Sequence, residues 1–267
     1  MKITDILEQD ADFKTCCTNF YENNQLQLLL GESLHPGGLN LTKELGKKLS
    51  LSPDDYVLDI ASGLGASAIC LAEEFDSHIL GIDLSAKNVK DANKLAKEKG
   101  MRNVSFRKGD AEKLLFDQES FDVIISECSF CLFPNKTIAA KEVFRVLKPS
   151  GRLGITDVAI EKKLPPDVQG IIFRVACISG ALSTQGYVHE LRKAGFTKIT
   201  TEDRKDAVYK LIMDIKKKIF LAELAKGLKN INLGDLDIKI AKKWLNRGKE
   251  LIDEGYGSYV MILSSKP

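Results

Sequence analysis

Two cysteines far apart in the sequence are the residues with the clearest potential for chemistry. Cys128 lies in Ser-Glu-Cys-Ser-Phe-Cys, and Cys177 lies in Ala-Cys-Ile-Ser-Gly-Ala-Leu. Thiolates are soft ligands that select soft centres over hard cations. The chain has six cysteines and no secretory signal pattern at its start, so reduced thiols are expected rather than disulfides. The pair therefore predicts a site for a soft group if the fold brings Cys128 and Cys177 together.

A glycine-rich turn follows the first predicted strand. In Tyr56-Val-Leu-Asp-Ile-Ala-Ser-Gly-Leu-Gly, the strand residues lead into Gly63 and Gly65, as required where the backbone must approach a ligand closely. Ala68 stands where a dinucleotide fingerprint would have its third glycine. A turn with a purely structural role is the alternative interpretation, because many α/β domains contain one.

Two acidic residues at strand ends strengthen the prediction of a ligand site. Asp83 ends the second predicted strand, where a carboxylate can accept hydrogen bonds from both hydroxyls of a ribose. Asp110 follows the third strand, after Gly109, and is expected to accept a hydrogen bond from an adenine amino group. The ligand expected beside the glycine turn therefore carries a nucleoside.

The elements that must position these residues alternate along the chain. Apolar runs separated by helical patterns predict βαβ units and a parallel sheet covered by helices. We expect strands at 56–61, 78–83, 104–107, 121–126, 152–157, 198–201 and 256–264, and helices at 67–75, 85–99, 136–147 and 184–194. Leu211, Ile215, Ile219, Phe220 and Leu224 recur at helical spacing and predict one apolar stripe that packs on the domain.

The same patterns divide the chain into four parts. Residues 1–50 are expected to form a helical segment or lid, and 51–203 the core that binds the nucleoside ligand. Residues 204–255 are expected to be a helical insert, and 256–267 a last strand that completes the core sheet.

The ordered set of motifs resembles class I S-adenosylmethionine-dependent methyltransferases. The resemblance covers about residues 50–160 and rests on Asp59 with Gly63 and Gly65, then Asp83, then Gly109-Asp110-Ala111. It implies a Rossmann-like α/β fold with a mostly parallel seven-stranded sheet and helices on both faces. It also implies S-adenosylmethionine as cofactor and S-adenosylhomocysteine as product. The cofactor-binding residues implied are Asp59, Gly63, Gly65, Asp83, Leu84, Asp110, Ala111 and Glu127.

The cysteine segments resemble one family within that class, the arsenite methyltransferases, and most closely the short prokaryotic type. The matching segments are Glu127-Cys128 followed by Leu132-x-Pro134-Asn135-Lys136, and Cys177-Ile-Ser-Gly-Ala-Leu182. The resemblance implies that Cys128 and Cys177 coordinate trivalent arsenic in an enzyme of arsenic detoxification. The lone pair of the arsenic would then attack the methyl group in line with its leaving sulfur.

A third sulfur is needed, and Cys17 is the expected one. Its neighbour Cys16 is the alternative, and since adjacent residues on a helix point in different directions, only one of the two can bind. Cys131 competes because it lies three residues after Cys128, whereas Cys70 is better explained by burial in a helix. The chain lacks the Cys-Gly-x-Pro element and the cysteine-bearing C-terminal domain of the longer arsenite methyltransferases.

Other functions remain open at this stage. The same donor site would serve a small organic acceptor, such as a quinone-like carbon or a thiol, with Glu127 as the base. A non-catalytic metalloid-binding protein is a third hypothesis. His35, in His-Pro-Gly-Gly, is expected either to line the donor pocket or to be a turn residue.

Composition bounds the partners. With 39 basic and 37 acidic residues the net charge is only +2, so neither nucleic acid nor a membrane is expected as a partner. Without a signal segment or an apolar run of membrane-spanning length, the chain is expected to be cytoplasmic. Arsenite as substrate implies a thiol reductant of the thioredoxin or glutathione type.

Overall fold

The computed structural model describes residues 14, 22, 33–168, 180–226 and 238–267. Within these ranges, the chain forms one seven-stranded sheet. The strands are β1 Tyr56–Ile60, β2 His78–Asp83, β3 Val104–Lys108, β4 Phe121–Glu127, β5 Leu147–Ile160, β6 Thr197–Asp203 and β7 Gly257–Ser265.

The strand order across the sheet is β3-β2-β1-β4-β5-β7-β6. Strands β1 to β5 run parallel to their neighbours, and β7 pairs antiparallel with both β5 and β6. The order reverses between β1 and β4, and in open α/β sheets ligands bind at such a switch point, beyond the carboxyl ends of the strands. The predicted fold class, a mostly parallel Rossmann-like sheet, is confirmed.

The helices connect and cover the strands. They are α1 Gly38–Lys48, α2 Ala66–Phe75, α3 Ala86–Glu98, α4 Lys136–Val146, α5 Thr184–Ala194, α6 Lys205–Lys226 and α7 Ile238–Asp253. Helix α3 begins as predicted, because the Ser85 hydroxyl accepts a hydrogen bond from the backbone N–H of Asn88 at 2.9 Å. It ends at Glu98 with Lys99 as its C-cap residue, and Gly100 follows with φ +70°.

The central strands bury side chains on both faces of the sheet. In β1, Leu58 belongs to one apolar cluster and Val57 to the cluster on the other face. In β4, Ile124 and Ile125 divide in the same way. Successive side chains of a strand point to opposite faces, so a strand covered on both sides reads as a continuous apolar run.

Helix α6 differs in one respect from the predicted apolar stripe. Ile219 is 2% exposed and packs inward, whereas Phe220 is 56% exposed. Adjacent residues lie about 100° apart around a helix, so the two cannot share one narrow stripe. None of the helices within the described ranges is both long enough and apolar enough to span a membrane.

Candidate active site

The turn between β1 and α2 depends on two glycines. Gly63 and Gly65 have φ of +54° and +81°, in the left-handed region that side chains disfavour. A Cβ on Gly65 would lie 2.5 Å from Cζ of Phe106, so this residue also permits close packing against β3. Gly63 lines a cavity at the carboxyl ends of the strands, whereas Gly65 lies behind it as the N-cap residue of α2.

Asp83 holds the glycine turn in place. Its Oδ2 accepts a hydrogen bond from the N–H of Gly63 at 2.9 Å, and its Oδ1 accepts one from the N–H of Ser85 at 2.8 Å. Burial raises the pKa of Asp83 even though these hydrogen bonds favour its ionised form. Asp83 and Leu84 line the cavity where β2 ends, so the carboxylate fixes the turn and also faces the ligand space.

Asp59 presents an unsatisfied acceptor to the same space. The residue is 2% exposed, and its Oδ2 has no hydrogen-bond partner within the described part of the chain. Burial raises its pKa well above the ordinary value, and the nearby charges of Glu127 and Asp83 raise it further. A buried acceptor without a donor is costly, so this atom calls for a ligand that donates a hydrogen bond or carries positive charge.

Glu127 lies at the end of β4 inside a buried polar cluster. Its Oε2 accepts a hydrogen bond from the Thr42 hydroxyl at 2.8 Å and lies 3.5 Å from Nε2 of His35. The Thr156 hydroxyl is 3.5 Å from its Oε1. His35 Nε2 is also 3.3 Å from the Ser67 hydroxyl. Of the two expectations for His35, the structure realises both, since the residue sits in the turn before α1 and lines the cavity.

Asp110 and Ala111 line the cavity after β3, and Asp110 is paired with a basic residue. Lys14 Nζ lies 2.7 Å from Asp110 Oδ2 and 2.8 Å from a carboxylate oxygen of Glu112. Burial alone would raise the pKa of Asp110, but hydrogen bonds from Lys14 and from the Glu112 backbone N–H lower it. Asp110 therefore stays ionised at the cavity rim.

Of the three cysteines that the structure describes, Cys128 is the one that reaches the cavity wall. It follows Glu127 directly, is half-buried, and has φ +53°, which is unusual for a residue with a side chain. Its N–H donates a hydrogen bond to the Thr156 carbonyl at 2.6 Å, so β5 holds the strained backbone in place. Strain of this kind is stored where the surrounding structure fixes a functional group.

The other cysteines fall into two groups. Cys131 is fully buried with its N–H bonded to Asp157, and Cys70 is 4% exposed inside α2. Neither lines the cavity. Cys16, Cys17 and Cys177 lie outside the described residues. The described part of the chain holds no group of three or more His, Cys, Asp or Glu side chains suited to a metal ion.

The cavity thus combines most of the residues predicted from the sequence. The predicted residues that line it are Asp59, Gly63, Asp83, Leu84, Asp110, Ala111, Glu127 and Cys128. Sequence reasoning missed Lys14, Asn88 and Ser67, which also line it, and Thr42, which bonds to Glu127. These four residues could have been inferred only from the faces of predicted helices, because none of them belongs to a distinctive sequence motif.

Comparisons with known proteins agree with this architecture. Residues 51–211 match the model of a family described as a methyltransferase domain. Phosphoethanolamine N-methyltransferase 1 of Arabidopsis thaliana is 31% identical over 71% of this chain and 40% of its own length. Arsenite methyltransferase of Aquipseudomonas alcaligenes is 32% identical over 72% of this chain and 59% of its own length. The chain therefore spans only part of either relative.

A solved structure shares the fold. Phosphoethanolamine N-methyltransferase 2 of Haemonchus contortus, in complex with S-adenosyl-L-methionine, superimposes with a TM-score of 0.81 at 18% identity. The match covers 100% of this chain and 60% of that one. The resemblance inferred from the motifs is confirmed, and the chain belongs to the methyltransferase domain family.

Proposed function

We propose that this protein is an S-adenosylmethionine-dependent methyltransferase that methylates trivalent arsenic. S-adenosylmethionine, when bound, supplies an electrophilic methyl group on a sulfonium and leaves as S-adenosylhomocysteine. The fit of the cavity to this molecule is supported by the unsatisfied Oδ2 of Asp59 and by the left-handed Gly63, which lets the backbone approach closely.

Each acidic residue of the cavity has a distinct role in this proposal. Asp83 accepts hydrogen bonds from the ribose hydroxyls, and Asp110 accepts one from the adenine amino group. Asp59 and Glu127, at the adjacent ends of β1 and β4, provide negative charge for the cationic end of the donor. Their mutual repulsion, which helps to raise the pKa of Asp59, is relieved by a positively charged ligand.

The position of Cys128 is the observation that carries the choice of acceptor. Cys128 lies in the wall of the same cavity as the proposed donor-binding acids, on a backbone fixed by the hydrogen bond to Thr156. A thiolate there binds a soft centre such as arsenic and holds its lone pair toward the methyl group. Cys177 and Cys17 are the proposed further sulfurs, and a thiol reductant is the proposed partner reaction.

Methylation of a phosphobase is the second candidate, because relatives with that name match at similar identity. A phosphate-bearing acceptor calls for cations at the site. Among the described residues that line the cavity, Lys14 is the only Lys or Arg, and it is already paired with Asp110 and Glu112. This arrangement favours the arsenic acceptor.

The candidates are separated by one assay with purified protein, reductant and S-adenosylmethionine. Arsenite, phosphoethanolamine and a small thiol are offered in turn, and methylated product and S-adenosylhomocysteine are measured by mass spectrometry. We expect methylated arsenic and loss of at least about 100-fold of its rate in Cys128→Ser, since a hydroxyl is a poor ligand for a soft centre.

Cys70→Ala is the matched control, because Cys70 is buried away from the cavity and should leave the rate unchanged. Formation of methylated phosphoethanolamine without methylated arsenic would mean that phosphoethanolamine, and not arsenite, is the acceptor. The small thiol could instead be methylated at an unchanged rate by Cys128→Ser and not at all by Glu127→Gln. That result would assign Glu127 as the base for a thiol acceptor. Tight arsenite binding without S-adenosylhomocysteine would indicate a binding protein.

A further inference from the structure

Asn88 is a residue of the cavity wall that has no role in the proposed reaction so far. It is 3% exposed, and its Oδ1 has no hydrogen-bond partner within the described ranges. Three of the four buried side-chain atoms in this condition, among the described residues, belong to this wall: they are on Asp59, Ser62 and Asn88. A buried acceptor without a donor is costly, so these atoms call for a partner from outside the protein.

The orientation of the Asn88 amide follows from its contact with Asp83. The Ser85 hydroxyl accepts a hydrogen bond from the backbone N–H of Asn88 at 2.9 Å, which fixes the first turn of α3. The Nδ2 of Asn88 then lies 3.4 Å from Oδ1 of Asp83. A reversed amide would bring its oxygen against the carboxylate, so Nδ2 faces Asp83 and Oδ1 is the atom left without a partner.

A second asparagine on the same helix shows how an amide with a structural role is satisfied. Asn93 donates from Nδ2 to the carbonyl oxygens of Phe106 and Val89, at 2.9 and 3.0 Å. Its Oδ1 accepts a hydrogen bond from the Phe106 N–H at 3.1 Å. Both polar atoms of the Asn93 side chain therefore have partners inside the protein, whereas only the donor side of Asn88 is used by the fold.

The carboxylate of Asp83 has little acceptor capacity left for a ribose. A carboxylate offers about four acceptor positions, two on each oxygen. Oδ1 of Asp83 accepts from the N–H of Ser85 and from Nδ2 of Asn88, and its Oδ2 accepts from the N–H of Gly63. One position on Oδ2 remains, and Asp83 alone would have to share it between the two neighbouring hydroxyls of a ribose.

We propose that Asn88 is a specificity residue for the donor: its Oδ1 accepts a hydrogen bond from one ribose hydroxyl, while Asp83 accepts from the other. The proposal rests on S-adenosylmethionine as the bound donor. The amino group of adenine is a poorer partner, because Asp110, its proposed acceptor, follows β3, whereas Asn88 contacts Asp83 at the end of β2. A nucleoside without this hydroxyl is discriminated against, since it leaves the buried acceptor unpaired.

Calorimetric titration of the full chain with S-adenosylhomocysteine and its 2′-deoxy and 3′-deoxy analogues tests the proposal. Asn88→Leu keeps the size of the side chain and removes the acceptor. We expect the Kd for S-adenosylhomocysteine to rise about tenfold in this variant, from the loss of one hydrogen bond. For one of the two deoxy analogues the parent and the variant should bind equally, because that hydrogen bond is already absent. For the other analogue the difference of about tenfold should persist.

Unfolding without ligand separates a binding role from a structural one. Asn88→Leu should leave the midpoint of denaturation unchanged or raise it, because the variant removes a buried acceptor that the fold does not satisfy. Asn93→Leu is the matched control on the same helix. It should lower the midpoint, since it breaks the hydrogen bonds to Phe106, and leave the Kd of the folded protein unchanged.

Three outcomes would overturn the role of Asn88 while donor binding by the parent stays intact. The first is an unchanged Kd in Asn88→Leu. The second is a lowered midpoint in Asn88→Leu together with an unchanged Kd, which would make the residue structural. The third is a loss of affinity that persists with both deoxy analogues but disappears with S-inosylhomocysteine, which would assign the adenine amino group instead. A parent that does not bind S-adenosylhomocysteine at all would overturn the proposed function as well.

Discussion

The Thr42 hydroxyl donates a 2.8 Å hydrogen bond to Oε2 of Glu127 and so joins helix α1 to the end of β4. Both side chains are buried, and the contact spans 85 residues of sequence. The residue that follows Glu127 is Cys128, so α1 also helps to fix the backbone that leads to Cys128 in the cavity wall.

Replacement of this hydroxyl should damage stability and donor binding together. Thr42→Val keeps the shape of the side chain but leaves a buried carboxylate without its short hydrogen bond. We expect a loss of about 1 to 3 kcal/mol in the free energy of unfolding and weaker binding of S-adenosylmethionine. Chemical denaturation and calorimetric titration measure the two effects. Thr200→Val, at an exposed position of β6, is the control.

The close approach at Gly65 can be separated from its backbone conformation. Gly65→Ala adds a methyl group against Phe106 at a residue with φ +81°, and should cost about 2 to 5 kcal/mol from strain and overpacking combined. Gly100→Ala is the comparison, because Gly100 has φ +70° with no atom within 4 Å of the added Cβ. It should show the conformational cost alone, about 1 to 2 kcal/mol. Equal losses in the two variants would contradict the packing role of Gly65.

The pKa of Asp59 predicts a dependence of stability on pH. Burial, and then Glu127 and Asp83, raise this pKa well above 3.8, so the folded state binds the proton more tightly than the unfolded chain. The protonated carboxyl of Asp59 contributes stability that is fully present below the pKa in the unfolded chain. This contribution is lost as the pH rises through the higher pKa in the folded protein. Asp59→Asn should therefore gain stability relative to the parent over the range of pH that begins near the ordinary aspartate pKa of about 4 and extends upward. Thermal melts across this range test it.

Asp122 supplies a control of opposite sign. Burial would raise its pKa, but hydrogen bonds from Lys148 and from the Tyr56 N–H lower it below 3.8. Its contribution to stability is present above the ordinary pKa and is lost as the pH falls through the folded pKa. Asp122→Asn should therefore lose stability relative to the parent as the pH rises. Parallel profiles for the Asp59 and Asp122 variants would refute both assignments.

The strained backbone at Cys128 gives a prediction that is independent of activity. Cys128→Ala and Cys128→Gly both remove the thiol, but only glycine adopts φ +53° without penalty. We expect the glycine variant to be more stable than the alanine variant by about 1 kcal/mol, the reverse of the usual order at a residue with negative φ. Denaturant titration of the two variants measures the difference. A less stable glycine variant would mean that the backbone at this residue is not strained.

Much of the fold was predictable because the apolar periodicity is strong. The predicted strand at 78–83 matches β2, and the predicted helix at 184–194 matches α5. Strand β5 is longer than predicted, Leu147–Ile160 instead of 152–157, because Leu147 pairs with Phe121 of β4 at its start and the antiparallel pairing with β7 continues to Ile160 at its end. That pairing depends on a distant segment that local patterns do not reveal.

The site was predictable where a motif fixes the backbone and unpredictable where packing decides. Asp83 is the last residue of β2, and Gly63 and Asp110 follow the ends of β1 and β3, so their convergence follows from a parallel sheet. The contact of Lys14 with Asp110 joins residues 96 apart, and nothing in the local sequence around Lys14 indicates it. Cys131 is likewise buried, with its backbone N–H bonded to Asp157, and its spacing to Cys128 does not indicate this position.

The place of β7 in the sheet has a consequence for folding during synthesis. Strand β6 pairs only with β7 within the described residues, and β7 follows both α6 and α7 in the chain. As the chain leaves the ribosome, β1 to β5 can assemble in order, while β6 waits with unpaired backbone until the last strand inserts beside it. Completion of this edge of the sheet is therefore a late and nonlocal step in folding. Until β7 is synthesised, the unpaired backbone of β6 is open to aggregation and to binding by a chaperone.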